Sequence, residues 1–267
     1  MPNKILAVIP VLNLWKEYTI HCLESVVASI GETEYHVALI DNASTDETYE
    51  HAQDFANRKL PGRMAVKHND QNKGCAGGWN DGVAYGMENG FTHFLILNND
   101  TLIGPHTLQR LYDRMAKGGA ALASAVDVTR ELVIPNDVLD PGNAVNAKPD
   151  TEAPHPNFSC FMIDRATVET VGYFDEEYFP AYYEDNDYHY RIKLAGLEAI
   201  ATTTATFIHY GSRTQNQLAG SPIVPGERFR ANEAFFARKW GGPPGRETYT
   251  TPFNDPSKKI TDVKRTI

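Results

Sequence analysis

The sequence predicts an α/β fold, a mainly parallel central sheet flanked by helices, and two observations carry that prediction. Short apolar runs of strand length alternate with longer stretches of helical periodicity through the first half of the chain, the order that produces crossovers between parallel strands. The strand runs also end in polar side chains, which in such sheets gather in a crevice beyond the carboxyl ends.

The elements follow in order. KILAVIPVL, residues 4–12, is a short buried-strand run, and WKEYTIHCLESVVASI places Tyr18, Cys22, Val26 and Ile30 at a helical four-residue repeat. YHVALIDN is a second strand, with Ser44 and Thr45 ahead of the helical DETYEHAQDFANR. Ser44 to Glu47 also fits a capping box. RMAVKHN is a third strand, CAGGWNDGVAYGMENG a third helix and THFLILNND a fourth strand; HTLQRLYDRMAKGG and AALASAVDV add another helix and strand. Polar residues close three of these strands: Asn13, then Asp41 and Asn42, then Asn98, Asn99 and Asp100.

Residues 127–157 carry five prolines and little periodicity, so they read as an irregular excursion with a short hairpin, suited to acceptor binding or a lid. FSCFMID is a returning strand, RATVETVG a helix closed by Gly172, and EDNDYHYRIKLAG a helix closed by Gly196. VPGERFRANEAFFARKWGG is helical, and a polar tail follows it. That last helix and the tail either cover the domain or pair with another chain.

Composition narrows the class. With 267 residues, 42% apolar and 22% charged, the chain reads as one globular unit. Cys22, Cys75 and Cys160 form neither a CxxC pair nor an even framework, which argues against disulfides and thiolate metal sites and for a reducing, cytoplasmic setting. The longest apolar run, from Ile5, contains Pro10 and falls far short of the roughly 20 residues that span a bilayer. It starts too near Met1 to read as a secretory signal. A formal charge of −9 disfavours nucleic acid and anionic membrane as partners.

Several motifs admit two readings. Asp100 in LILNND is a carboxylate at a strand's end, able to hold a divalent cation against phosphates, but Asn and Asp there are also turn formers. In NKGCAGGWNDG, Gly74, Gly77 and Gly78 allow close backbone approach where a helix begins, whether to a phosphate or merely through a tight turn. Neither GxGxxG after the first strand nor GxxxxGK[ST] occurs, which weakens dehydrogenase and P-loop readings. Glu184-Asp185-Asn186-Asp187, directly after an aromatic run, is either a solvated helix N-terminus or a general base at the rim of a pocket. Asp187 and Arg191, one turn apart, read as a structural ion pair. Tyr178, Phe179, Tyr182 and Tyr183 either stack on a sugar or pack in the core, and Trp79 faces the same choice.

Taken in order, VIPVLN, LIDNASTDET, NKGCAGGWNDG, LNNDT, GYFDEEYFPAYYEDNDYHYRIKLAG and IHYGSRT, with a weaker ARKWGG, resemble the family 2 glycosyltransferases of the GT-A fold over residues 4–241. The bacterial and phage type labelled rhamnosyltransferase-like is the nearest in pattern. The resemblance implies one Rossmann-like GT-A domain over residues 1–240 and a C-terminal tail over 241–267. Residues 1–126 would hold the nucleotide sugar, and 127–240 the acceptor and the catalytic groups. Pro10 to Asn13 would line the nucleotide pocket, and Asp41, followed by Asn42, would accept the N3 hydrogen of uracil or thymine. Asn72, Lys73, Gly77 and Gly78 would border the sugar and diphosphate. NND stands in place of the family's DxD motif. Asp100 would then bind Mn2+ or Mg2+, with Asn98 replacing the first Asp and Asn99 between them, a departure that leaves one carboxylate where the family's motif has two. His209 matches a position where many GT-A enzymes supply another metal ligand, although a histidine buried in an apolar segment fits as well.

In this family the ED pair supplies the base, so the resemblance assigns that role to Asp185, with Glu184 in reserve. An acceptor hydroxyl, on a glycan or another molecule, would attack the anomeric carbon of a UDP- or dTDP-activated hexose opposite the diphosphate and invert it. Lys73 and Arg213 would help to stabilise the leaving group. The subgroup alone favours dTDP-rhamnose. Two rivals stand beside this reading: a non-catalytic nucleotide-sugar or glycan-binding module, and a sugar nucleotidyltransferase, whose Gly-rich basic loop after the first strand is missing here.

Overall fold

The structure, a computed structural model, describes residues 4–129, 151–211 and 225–266. Its centre is a nine-stranded sheet in the order β3-β2-β1-β4-β8-β6-β9-β5, with β7 paired to β9. The first strands run in parallel: β1 (Ile5–Val11) lies between β2 (Tyr35–Asp41) and β4 (His93–Leu97), and β2 pairs with β3 (Met64–His68). Beyond β4 the sheet is mixed. β8 (Cys160–Asp164) runs antiparallel to both β4 and β6 (Leu122–Asp127), while β9 (Ala199–His209) is parallel to β6 and antiparallel to β5 (Thr101–Ile103) and β7 (Glu152–Ala153).

Strand periodicity distributes the core over both faces. Ile5, Ala7, Ile9 and Val11 of β1 face α1 (Ile20–Val27), α2 (Thr48–Lys59) and α4 (Thr107–Ala116). Leu6 and Val8 face α3 (Gly74–Glu88), α5 (Arg165–Val171) and α6 (Glu184–Leu194). A third cluster of Tyr178, Tyr183, Tyr190, Phe236 and Trp240 packs α7 (Pro225–Trp240) beside α6. Tyr178 and Tyr183 therefore belong to the core, and Trp79, 2% exposed, lies against Phe161 and Phe174.

Some expectations shift. The first helix is a π turn over Trp15–Thr19 followed by α1, which ends at Val27, so Ile30 at the end of the apolar repeat is 58% exposed. No capping box forms at α2, because the Ser44 hydroxyl accepts from the Asn13 N–H instead. Residues 130–150 of the irregular excursion lie outside the described residues, and so does any hairpin within them; Glu152 and Ala153 join the sheet. The C-terminal segment packs back on the domain. The Lys264 and Thr266 N–H groups donate to Asp175 and Glu176, and Tyr190 Oη donates to the Tyr249 carbonyl. Among the described residues no helix is long and apolar enough to cross a membrane.

Candidate active site

The carboxyl ends of β1, β2 and β4 open on a cavity of about 270 Å³. Pro10 lines it from β1, Asn42 and Asn72 from the loops after β2 and β3, and Asn98, Asn99 and Asp100 from the loop after β4. Glu184 and Asp185 enter from the first turn of α6, and His209 from the end of β9. Residues far apart in sequence thus line one cavity.

The register of β5 and β9 explains one meeting. Thr101 pairs with His209, so the preceding Asp100 and the His209 ring come together, with Nε2 3.2 Å from Oδ1. The Ser159 hydroxyl lies 3.3 Å from Nδ1 on the other side of the ring. One carboxylate oxygen and one imidazole nitrogen at that separation match neighbouring corners of an octahedron with ~2.1 Å bonds, which spans ~3 Å. The pair fits an open divalent-cation site that substrate oxygens would complete. Among the described residues no group of three or more His, Cys, Asp or Glu side chains could hold a metal ion.

At the helix end, two influences oppose each other. The α6 N-terminus favours a carboxylate, and Asp185 accepts from the Asn186 N–H at 2.8 Å, but burial prevails and pushes the Asp185 carboxyl above its usual range. Glu184 goes further. It is 4% exposed, its Oε2 has no partner, and burial together with the Asp185 charge raises its carboxyl well above the normal range. Cys75, also on the cavity, has its thiol pushed up by burial and then by Glu184.

Other sequence candidates hold the walls together. Asn42 Nδ2 donates to Asn72 Oδ1 and the Gly74 carbonyl, and its Oδ1 accepts from the Lys73 N–H, which ties the loops after β2 and β3 together. Asn13 clasps the loop after β2 through Ser44 and the Thr45 N–H. Asn99 donates to Thr19 Oγ1. Asp41 is fully buried off the cavity, with one oxygen 2.6 Å from His68 Nδ1 and the other accepting from the Ser44 N–H.

Lys73, expected beside the diphosphate, is not among the residues that line the cavity, and its ammonium pairs with Asp81 at 3.1 Å. Gly77 and Gly78 do not line the cavity either. A Cβ on Gly78 would stand 2.6 Å from Pro10 Cβ, so this glycine lets α3 lie close on β1. The first amides of α3 are also engaged, Gly74 N–H with Asn72 Oδ1 and Cys75 N–H with the Pro180 carbonyl, instead of facing a phosphate. Gly74 itself takes φ +74° against that carbonyl, a conformation and a closeness that favour glycine. Arg213 lies outside the described residues. Sequence reasoning missed Asn157, Phe158 and Ser159, which reach the cavity just ahead of β8 and carry no motif of their own.

Sheet and site together define a GT-A glycosyltransferase domain. The fold resembles Staphylococcus aureus TarS 1–349 crystallised with UDP, at TM-score 0.58 and 15% identity over 89% of this chain and 72% of that one. It also resembles GalNAc-T7 crystallised with UDP, GalNAc and Mn2+, at TM-score 0.60 and 13% identity over 78% of this chain and 43% of that one. Residues 6–172 match the sequence pattern of Glycosyl transferase family 2, and the chain belongs to that family. Among curated relatives, the low-salt glycan biosynthesis hexosyltransferase Agl10 of Haloferax volcanii is 24% identical over 254 residues, 85% of this chain and 76% of that protein. A galactofuranosyl glycosyltransferase of Leishmania donovani is 36% identical over 63 residues, 23% of this chain and 14% of that protein.

Proposed function

We propose that the protein transfers a hexose from a UDP- or dTDP-activated donor to an acceptor hydroxyl, inverting the anomeric centre. The observation that carries this reading is one cavity lined by both the Asp185 carboxyl and the Asp100–His209 pair. Asp185 takes the acceptor hydroxyl's proton as that oxygen bonds to the anomeric carbon. The bond from that carbon to the diphosphate oxygen breaks on the opposite face, and its electron pair leaves with the nucleoside diphosphate. Asp100 and His209 would hold Mn2+ or Mg2+, which when bound supplies positive charge to the departing diphosphate. A pyrimidine donor is supported by the UDP in both structural neighbours, and a hexose by the name of the Haloferax relative. The raised pKa of Asp185 favours a base over a binding module, because a proton acceptor works best when its pKa approaches the working pH.

Calorimetric titration with UDP, dTDP, GDP and ADP, each with manganese and with chelator, tests the donor side. Manganese-dependent binding of a pyrimidine diphosphate is expected, weakened in Asp100→Ala. Failure of all four nucleotides to bind would send the reading back to the acceptor.

A further inference from the structure

Two exposed rings meet beside the cavity, one lining it and the other packed against the first. Tyr182 lines it and is 38% exposed; Phe229, on α7, is 40% exposed. Their centroids are 5.5 Å apart at 68°, so one presents its edge to the other's face. The segment that carries Tyr182 is built to hold it there. Tyr182 and Tyr183 both take φ +75°, a costly conformation for an aromatic residue. The buried Asn232 of α7 secures it by donating to the carbonyls of Ala181 and Tyr182 at 2.9 and 3.1 Å. Helix α7 therefore supplies both the second ring and the clamp for the first.

We propose that Tyr182 and Phe229 form an angled aromatic platform against which a saccharide acceptor packs, which makes the acceptor of the transfer a carbohydrate. This inference rests on the transferase reading above. A pyranose presents an apolar C–H face and an edge of hydroxyls. An exposed ring matches that face, and the carboxyl groups of Asp185 and Glu184, which line the same cavity as Tyr182, match the hydroxyls. An acyl chain is a poorer match, since Phe229 lies in a helical turn that also carries the exposed charges of Glu227, Arg228 and Arg230.

The test is saturation-transfer NMR on the full chain with a panel of methyl hexosides, in the presence of UDP and manganese, with dodecylphosphocholine below its micelle concentration as the lipid probe. At least one hexoside is expected to bind. Its affinity should fall about tenfold in Tyr182→Ala and in Phe229→Ala, the size of a lost aromatic contact, and should be kept in Tyr182→Phe. Unchanged UDP affinity in each variant verifies that it has folded. Hexoside binding that is equal in wild type and both alanine variants overturns the platform. So does binding of dodecylphosphocholine without any hexoside. UDP or dTDP binding with no hexoside binding in the wild type defeats the platform and leaves the transferase reading standing, whereas a wild type that binds neither nucleotide and no hexoside defeats both.

Discussion

Asp185 and Ser159 show how unevenly single residues can be read. The place of Asp185 at the start of a helix was legible, because an acidic pair directly after an aromatic run is a local signal; the base role proposed for it came from the family resemblance. Its replacement by Asn should abolish transfer while UDP affinity stays near wild type, measured by initial rates and calorimetry; comparable turnover would reject it as the base. The base works deprotonated and burial raises its pKa, so the acid limb of the pH–rate profile should lie above the ordinary carboxylate range. Ser159 left no trace in the sequence, because its role depends on β8 and β9 bringing it to the His209 ring. Ser159→Ala should weaken manganese dependence roughly 10- to 100-fold, the usual cost of losing the group that orients a ligand histidine. Equal dependence in mutant and wild type would separate His209 from the metal.

Helix α3 is the element whose meaning changed most. Its glycines suggested a backbone approaching phosphate. In the structure Gly78, Gly82 and Gly86 stand one turn apart and meet Pro10, Val8 and the Phe94 and Leu6 side chains, so they let α3 settle on β1 and β4. Gly82→Ala gains helix propensity but drives a methyl into Val8, and urea unfolding should show a net loss of about 1–3 kcal/mol. A gain in stability would show that α3 has room. The spacing of the glycines was visible from the start; which surface they faced was not, because a small side chain serves a ligand and a neighbouring strand equally well.

Across the whole molecule, one buried charge network joins α6 to α7. Asp187 accepts from Arg191, Lys239 and Trp240 at 2.7, 2.7 and 2.8 Å, and Lys239 also reaches Asp175 at 2.7 Å. Sequence spacing anticipated the Asp187–Arg191 pair. Lys239 and Trp240 enter only because α7 packs beside α6. Lys239→Met would leave two buried carboxylates short of a partner and should cost roughly 3–5 kcal/mol in denaturant unfolding. Burial alone would raise the Asp187 carboxyl, but Lys239 and Arg191 outweigh it and bring its pKa down from 3.8 to about 2. A carboxylate held below its unfolded value stabilises the fold above that value. This contribution should therefore be complete above pH 3.8 and disappear as pH falls toward 2, an acid limb that thermal melts would follow and that Lys239→Met should reduce.

The alternation of strands and helices, the polar strand ends and the acidic start of α6 were set by the sequence alone, since periodicity and helix-terminal chemistry act over a few residues. Tertiary structure decided what faces what. The register of β5 on β9 joined Asp100 to His209, the close seat of α3 on β1 set Gly78 against Pro10, and burial raised the Asp185 carboxyl's pKa against the pull of its helix position. Each depends on groups distant in the chain arriving within a few ångströms of one another. Dielectric environment, register and steric closeness are properties of that assembly, and no local pattern encodes them.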